Sequence, residues 1–279
     1  MHLCIFNPEH DLCMAKGRAH YVPPMSAVEF SRRDADIMKV LYPEAVCSSV
    51  YDLDKLCVPL SAIHSVSAWG WDAVVRHEAA KRGVPESLLP TAGEVASIRE
   101  LQHRSTILPL QPDCHAVYSA DEMETLLLQL EHWVMKAPWS GAGRGLRWVH
   151  GALTAIDRDW LAKTVDSQRC IIAEPRRNVV ANVALEYMEG RFAGYSYFRT
   201  SSGVYKENIA WPDSLIEEAF PMRDVRQRVE PWLEATVWPR YHGPLGVDLM
   251  VCADSSVHVA EINLRHTMGM VAHAKIQQI

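Results

Sequence analysis

No apolar run in the 279-residue chain approaches the roughly 18 residues of a membrane-spanning helix, so no transmembrane helix is expected. The N-terminal stretch "MHLCIFNPEHD" lacks a basic leader region and turns polar after Phe6, which argues against a signal peptide. The seven cysteines (4, 13, 47, 57, 114, 170 and 252) form no C-x-x-C pair. An odd, scattered set fits free thiols in a reducing compartment, so a cytoplasmic location is expected. H-E-x-x-H is absent, and no histidine pair stands near a cysteine pair, which argues against zinc. No repeat or low-complexity tract is visible, which sets solenoids and propellers aside. Basic residues number 28 against 34 acidic, a net charge of −6. A nucleic-acid partner usually needs a basic face, and none is expected.

Apolar residues make up 48% and charged residues 22%, a globular composition in a chain long enough for two domains. Residues 1–90 alternate strands with helices: "HLCIFN", then helix-like "MSAVEFSRRDADIMKVL", then "HSVSAWG", then "WDAVVRHEAAKRG" with Gly83 as stop signal. That alternation predicts a small open α/β unit. "PTAGEVASIRELQHRSTIL" reads as one long helix with a Thr91–Glu94 capping box. Strands "HAVYS" and "HWVMKAP" flank the helix "ADEMETLLLQLE", and a helix near 155–165 precedes the strand "CIIAEP". Residues 178–212 read as antiparallel hairpins, and 213–238 as helix with breaks at Pro221 and Pro231. Two strands, "LGVDLMVC" and "SVHVAEIN", follow around "ADSS".

This last hairpin carries the chemistry. A two-residue turn at Asp254–Ser255 sets Asp248 opposite Glu261 and Gly246 opposite Asn263. Residues two apart share a strand face, and opposed Cβ atoms lie about 5 Å apart, so Asp248, Glu261 and Asn263 converge. Two carboxylates that close need a cation between them, and hard oxygen ligands suit Mg²⁺ with substrate phosphates completing its shell. The alternative is a solvent-facing hairpin whose polar face holds two acids, and a one-residue slip would undo the pairing. Earlier, "WVMKAPWSGAGRGL" places Lys136 at a strand end before Gly141, Gly143 and Gly145. Glycines let backbone amides approach an anion and lysine adds a point charge, although such a turn also serves a plain hairpin. Neither the P-loop nor the dinucleotide-binding spacing is present.

These motifs, in this order, resemble the ATP-grasp superfamily over about residues 91–279. The resemblance implies an α+β ATP-grasp fold, two α+β subdomains clasping a nucleotide, behind a small Rossmann-like α/β domain at 1–90. The lid subdomain would span about 111–175 and the metal-binding, catalytic subdomain about 176–279. It implies ATP and one or two Mg²⁺ ions as cofactors. Lys136 would contact the phosphates, Ser140 to Gly145 would cover them, and Glu174 would lie beside the adenine. Asp248, Glu261 and Asn263 would hold the metal, and Arg265 would stabilise charge on the transferred phosphoryl group. The second ATP lysine of many members is missing, with Arg104 as its substitute. An acidic ribose ligand is not obvious, Asn182 being the nearest polar residue.

The implied activity is ligation, with a small carboxylate activated as an acylphosphate and attacked by an amine. Two alternatives remain: a small-molecule kinase, or a nucleotide-binding regulatory protein without turnover. A homodimer is left open. Asn7, Glu9, His10 and Asp11 follow the first strand and either line a pocket there or form a turn and helix cap. Arg176, Arg177 and Lys206 are surface residues by default, Trp69 and Trp71 core anchors, and His266 and His273 lone histidines without an assigned role.

Overall fold

The computed structural model describes residues 1–141, 145–201, 204–209 and 211–277. Strand β1 (His2–Phe6) is buried from Leu3 to Phe6, the pattern of a strand covered on both faces. It lies at the centre of a parallel sheet, between β2 (Val46–Ser49) and β3 (Ser65–Ala68). Strand β2 was not expected, because its four residues "VCSS" have no apolar alternation and owe their conformation to pairing with β1. Around this sheet stand α1 (His10–Lys16), α2 (Met25–Arg33) and α3 (Ala73–Lys81). The helix read over 25–41 ends early, at Asp34, and continues as a 3-10 turn over Ala35–Val40. Asp72 caps α3, its Oδ1 accepting from the amides of Val74 (2.8 Å) and Val75 (2.9 Å).

Helix α4 (Ala92–Leu101) opens with the expected Thr91–Glu94 capping box. The long helix read there stops at Gln102, and His103 caps a 3-10 turn over Arg104–Leu110 that contains Pro109. Arg104 therefore leaves a turn rather than a helix face. A four-stranded antiparallel sheet follows: β4 (His115–Val117), β5 (His132–Lys136), β6 (Leu146–His150) and β7 (Ile171–Pro175), in the order β4-β7-β5-β6. Helices α5 (Ala120–Gln129) and α6 (Ala155–Gln168) cover it through Met123, Leu127 and Leu161.

The third sheet has five strands in the order β10-β9-β8-β11-β12: β8 (Val179–Met188), β9 (Arg191–Ser201), β10 (Val204–Ile209), β11 (Leu245–Cys252) and β12 (Val257–Asn263). Helices α7 (Asp213–Ala219) and α8 (Met222–Thr236) pack Ile216, Val225, Val229 and Leu233 with Val183, Leu185, Val247 and Leu249. The break expected at Pro221 is present, whereas α8 runs through Pro231, which faces solvent. Helix α9 (Met268–Gln277) closes the molecule and sends Val271 into a core cluster with Cys4, Phe6 and Trp69 of the first sheet.

Candidate nucleotide and metal site

In the β11–β12 hairpin Asp248 pairs with Glu261 and Gly246 with Asn263, the register expected from the sequence. The turn is not the expected one. Cys252 N–H donates to Ser256 O (2.9 Å), leaving a three-residue loop with Ser255 at φ 66°. That shifts the pairs nearest the turn by one, and a bulge at Ala260 restores the register before Glu261. Asp248, Glu261 and Asn263 line one cavity wall, and Asn263 Nδ2 donates to Asp248 Oδ2 at 3.2 Å. Desolvation, then the charges of Glu261 and Glu186, push the Asp248 carboxyl well above the usual carboxylate range.

Two guanidinium groups answer this negative charge. Arg104 reaches Glu261 and also donates to Ser140 Oγ (2.7 Å) and Ser140 O (3.1 Å), so it ties the stem of the glycine loop to the acidic patch. Arg265 is paired with Asp11 at 3.1 and 3.3 Å. Burial would lower the Arg265 pKa, but Asp11, Glu261 and Asp248 together raise it. Burial would likewise raise Asp11, yet Arg265, His10 and Arg104 hold it below its ordinary value. Gly141 packs directly on Asp11, where a Cβ would overlap the carboxylate. Gly145 accepts from Ala137 N–H at 2.8 Å, while Gly143 lies outside the described residues.

Lys136, at the end of β5, donates to Glu174 Oε2 on β7 at 2.8 Å, and both side chains are buried. They line a cavity of about 410 Å³ between the four- and five-stranded sheets. Across it stand Asp248 and Glu261, with Trp148, Arg176 and Asn182 around the rim. A second cavity, of about 230 Å³, holds Asp11, Arg265, Glu186, Ser196 and Thr267, and again Asp248 and Glu261. The two acids are thus a shared wall of both cavities.

Glu186 was not singled out from the sequence. Its carboxylate accepts from Ser196 Oγ (2.8 Å) and Thr267 Oγ1 (2.9 Å), and burial pushes its pKa up to about 7. The available signal was a lone acid inside the strand "VALEYM", where an apolar residue would be expected. The Asn7–Asp11 motif turns out to serve both readings. Asn7 and His10 donate to Asp72 Oδ2, at 3.1 Å each, and are structural, while Glu9 and Asp11 face cavities.

Trp69 is buried, as its default reading had it. Arg177 departs from its surface reading: its side chain is mostly buried, lines the larger cavity and is engaged with Asp113 (2.7 Å) and His258 (3.1 Å). His266 is an anchor: its Nδ1–H donates to Ala68 O at 3.0 Å, and its Nε2 accepts from the Tyr42 hydroxyl at 2.9 Å.

Three sheets in this arrangement, with a cavity between the second and third, define an ATP-grasp fold. No family model and no curated protein matches the sequence. Solved structures do. D-cycloserine synthetase DcsG superposes with a TM-score of 0.59 at 12% identity, covering 100% of this chain and 99% of that one. Biotin carboxylase from Campylobacter jejuni, in a β-γ-ATP complex, gives 0.58 at 13%, covering 97% and 67%. N5-carboxyaminoimidazole synthetase from Staphylococcus aureus, complexed with ADP, gives 0.55 at 14%, covering 95% and 70%. At such identities the likeness carries the architecture, and the chemistry has to come from the site.

Proposed function

We propose that the protein is an ATP- and Mg²⁺-dependent ligase that activates a small carboxylate as an acylphosphate and joins it to an amine. The observation that carries this is the shared wall: Asp248 and Glu261 border both the cavity holding Lys136 and the cavity holding Arg265. A phosphoryl group passing from a nucleotide in the first to an acceptor in the second would cross at these two acids. Their fit to a metal rests on the same geometry, since two opposed carboxylates with an amide oxygen beside them form a hard oxygen donor set, partly answered by Arg104 on Glu261. Bound Mg²⁺ would neutralise the phosphate oxygens there.

The chain's own groups account for the rest. Lys136, preset against Glu174, supplies a point charge to the phosphates, and Arg104, with Ser140, Gly141 and Gly145, closes the loop side. Glu174 sits beside the adenine in this reading. Arg265, held by Asp11, faces the point where an acceptor carboxylate oxygen attacks the γ-phosphorus and ADP leaves. The amine nitrogen then attacks the acyl carbon, the carbon–oxygen bond breaks, and phosphate departs. A closed glycine loop would keep water from the acylphosphate.

The test is ADP release by the purified protein with Mg·ATP and pooled small acids and amines, beside Glu261→Gln. Pool-dependent ADP that disappears in the variant, with an amide product, supports the ligase. A stable phosphorylated product would indicate a kinase, and binding of Mg·ATP without release would indicate a regulatory protein.

A further inference from the structure

Away from the central site, the open end of the β5–β6 hairpin gathers three side chains that can bind a metal. His132 begins β5, His150 ends β6, and the two are directly paired across the strands. Their rings stack with centroids 4.3 Å apart and planes 18° apart, and the two Nδ1 atoms approach to 3.0 Å. Glu131, one residue before β5, brings Oε1 to 3.4 Å from His150 Nε2. One ligand atom from each of the three lies within 4.8 Å of the other two. The backbone beneath them is fixed. Glu131 O accepts from Gly151 N–H (2.8 Å), His132 O from Arg176 N–H (3.0 Å) and His150 O from Ala152 N–H (2.7 Å).

Two imidazoles and a carboxylate are the donors that hold zinc, at about 2.0–2.2 Å from the metal. Two nitrogens bound to one tetrahedral ion stand about 3.3 Å apart, close to the separation of the two Nδ1 atoms here. Without an ion, one Nδ1 has to carry a proton for the pair to hydrogen-bond, so only one lone pair is used, whereas an ion engages both. Mg²⁺ prefers oxygen donors in an octahedral shell, so this cluster differs in selectivity from Asp248, Glu261 and Asn263. The Glu131 and His150 side chains are 63% and 64% exposed, which opens the cluster to an ion from solvent and leaves room for water in its shell. The argument against zinc from the sequence looked for ligands close in the chain. These two histidines are 18 residues apart and meet through strand pairing.

We propose that Glu131, His132 and His150 form a surface site for a divalent transition-metal ion of the zinc class, with water completing its shell. An ion there clamps the open end of the hairpin whose other end carries Lys136 and the glycine loop, roughly 13 Å away along β5. The site stands on its own geometry and is independent of the ligase reading.

Calorimetric titration of the full chain with zinc chloride, in excess Mg²⁺, tests it. Zinc held by other groups, the exposed Cys57 among them, contributes equally to the parent chain and its variants, so the difference isolates this site. His132→Ala and His150→Ala are each expected to weaken one zinc-binding event by about tenfold or more, and Glu131→Gln to weaken it less. Zinc should also raise the melting temperature of the parent chain more than that of His150→Ala, while the two melt alike without metal. Should His132→Ala fail to fold, the exposed His150→Ala decides alone. Zinc isotherms that coincide for the parent chain and His150→Ala overturn the proposal, as does displacement of the ion from this site by Mg²⁺.

Discussion

Asp248 stands opposite Glu261 with Glu186 close enough to raise its pKa further. Such a cluster costs stability in the ligand-free protein, and on the proposed reading a metal ion offsets it. Asp248→Asn is expected to raise the melting temperature of the ligand-free protein by a few degrees while abolishing ADP release and the added stability from Mg·ATP. A melt with and without Mg·ATP reads both effects. Glu186 gives a pH signature. Its folded pKa of about 7 lies above the ordinary 4.5, so the native state holds its proton longer than the unfolded chain does. Stability from this group is complete below about 4.5 and is lost as pH rises towards 7, by at most about 3 kcal/mol. Denaturation of Glu186→Gln between pH 4.5 and 7.5 should show a shallower decline than the unaltered chain. Lys136, Asp248, Glu261 and Asn263 were legible as candidates because polar residues inside or at the end of a strand break an apolar run. Glu186 breaks one too, but its partners Ser196 and Thr267 come from other elements.

The β11–β12 hairpin shows what can and cannot be read at the scale of an element. Its register at the acids was legible, although the reasoning that led there assumed a two-residue turn. The actual loop is one residue longer, and the bulge at Ala260 cancels the difference before Glu261. Strand alternation reports which residues share a face, whereas a bulge depends on the partner strand. The same holds for β2, which exists through its neighbour, and for the helix that His103 ends before Arg104. Helix α9 begins against the buried acid: a Cβ on Gly269 would overlap both Glu186 and Ser196. Gly269→Ala is therefore expected to displace the first turn of α9, costing about 1–3 kcal/mol of stability. Activity should fall by more than tenfold, a larger loss than the melting curve alone would suggest.

At the scale of the molecule, the order of motifs made the ATP-grasp architecture legible, but not the return of the last segment to the first sheet. Nor did linear spacing reveal that Glu131, His132 and His150 bring potential ligand atoms within 4.8 Å of one another at an exposed strand end. His266 stitches the last segment to the first sheet, and its burial, chiefly, holds its pKa down at about 4. With the unfolded value near 6.5, the unfolded chain takes up the proton first as pH falls. The contribution of the neutral ring is full above about 6.5 and is lost towards 4, by at most about 3 kcal/mol. His266→Gln should be less stable at pH 7.5, with a flatter profile across that acid window in chemical denaturation.

Asp11 and Arg265, the pair that steadies the site, lie 254 residues apart in the chain. Contacts so distant in sequence form late, and translation delivers one partner long before the other. A growing chain would already display Lys136 and the first sheet, but it would have neither the acidic strand nor Arg265. On the proposed reading, the emerging polypeptide therefore has no complete site before it is nearly finished. Until α9 docks, Phe6 and Trp69 lack the Val271 side chain that completes their cluster, so the apolar face of the first sheet stays uncovered longest during synthesis.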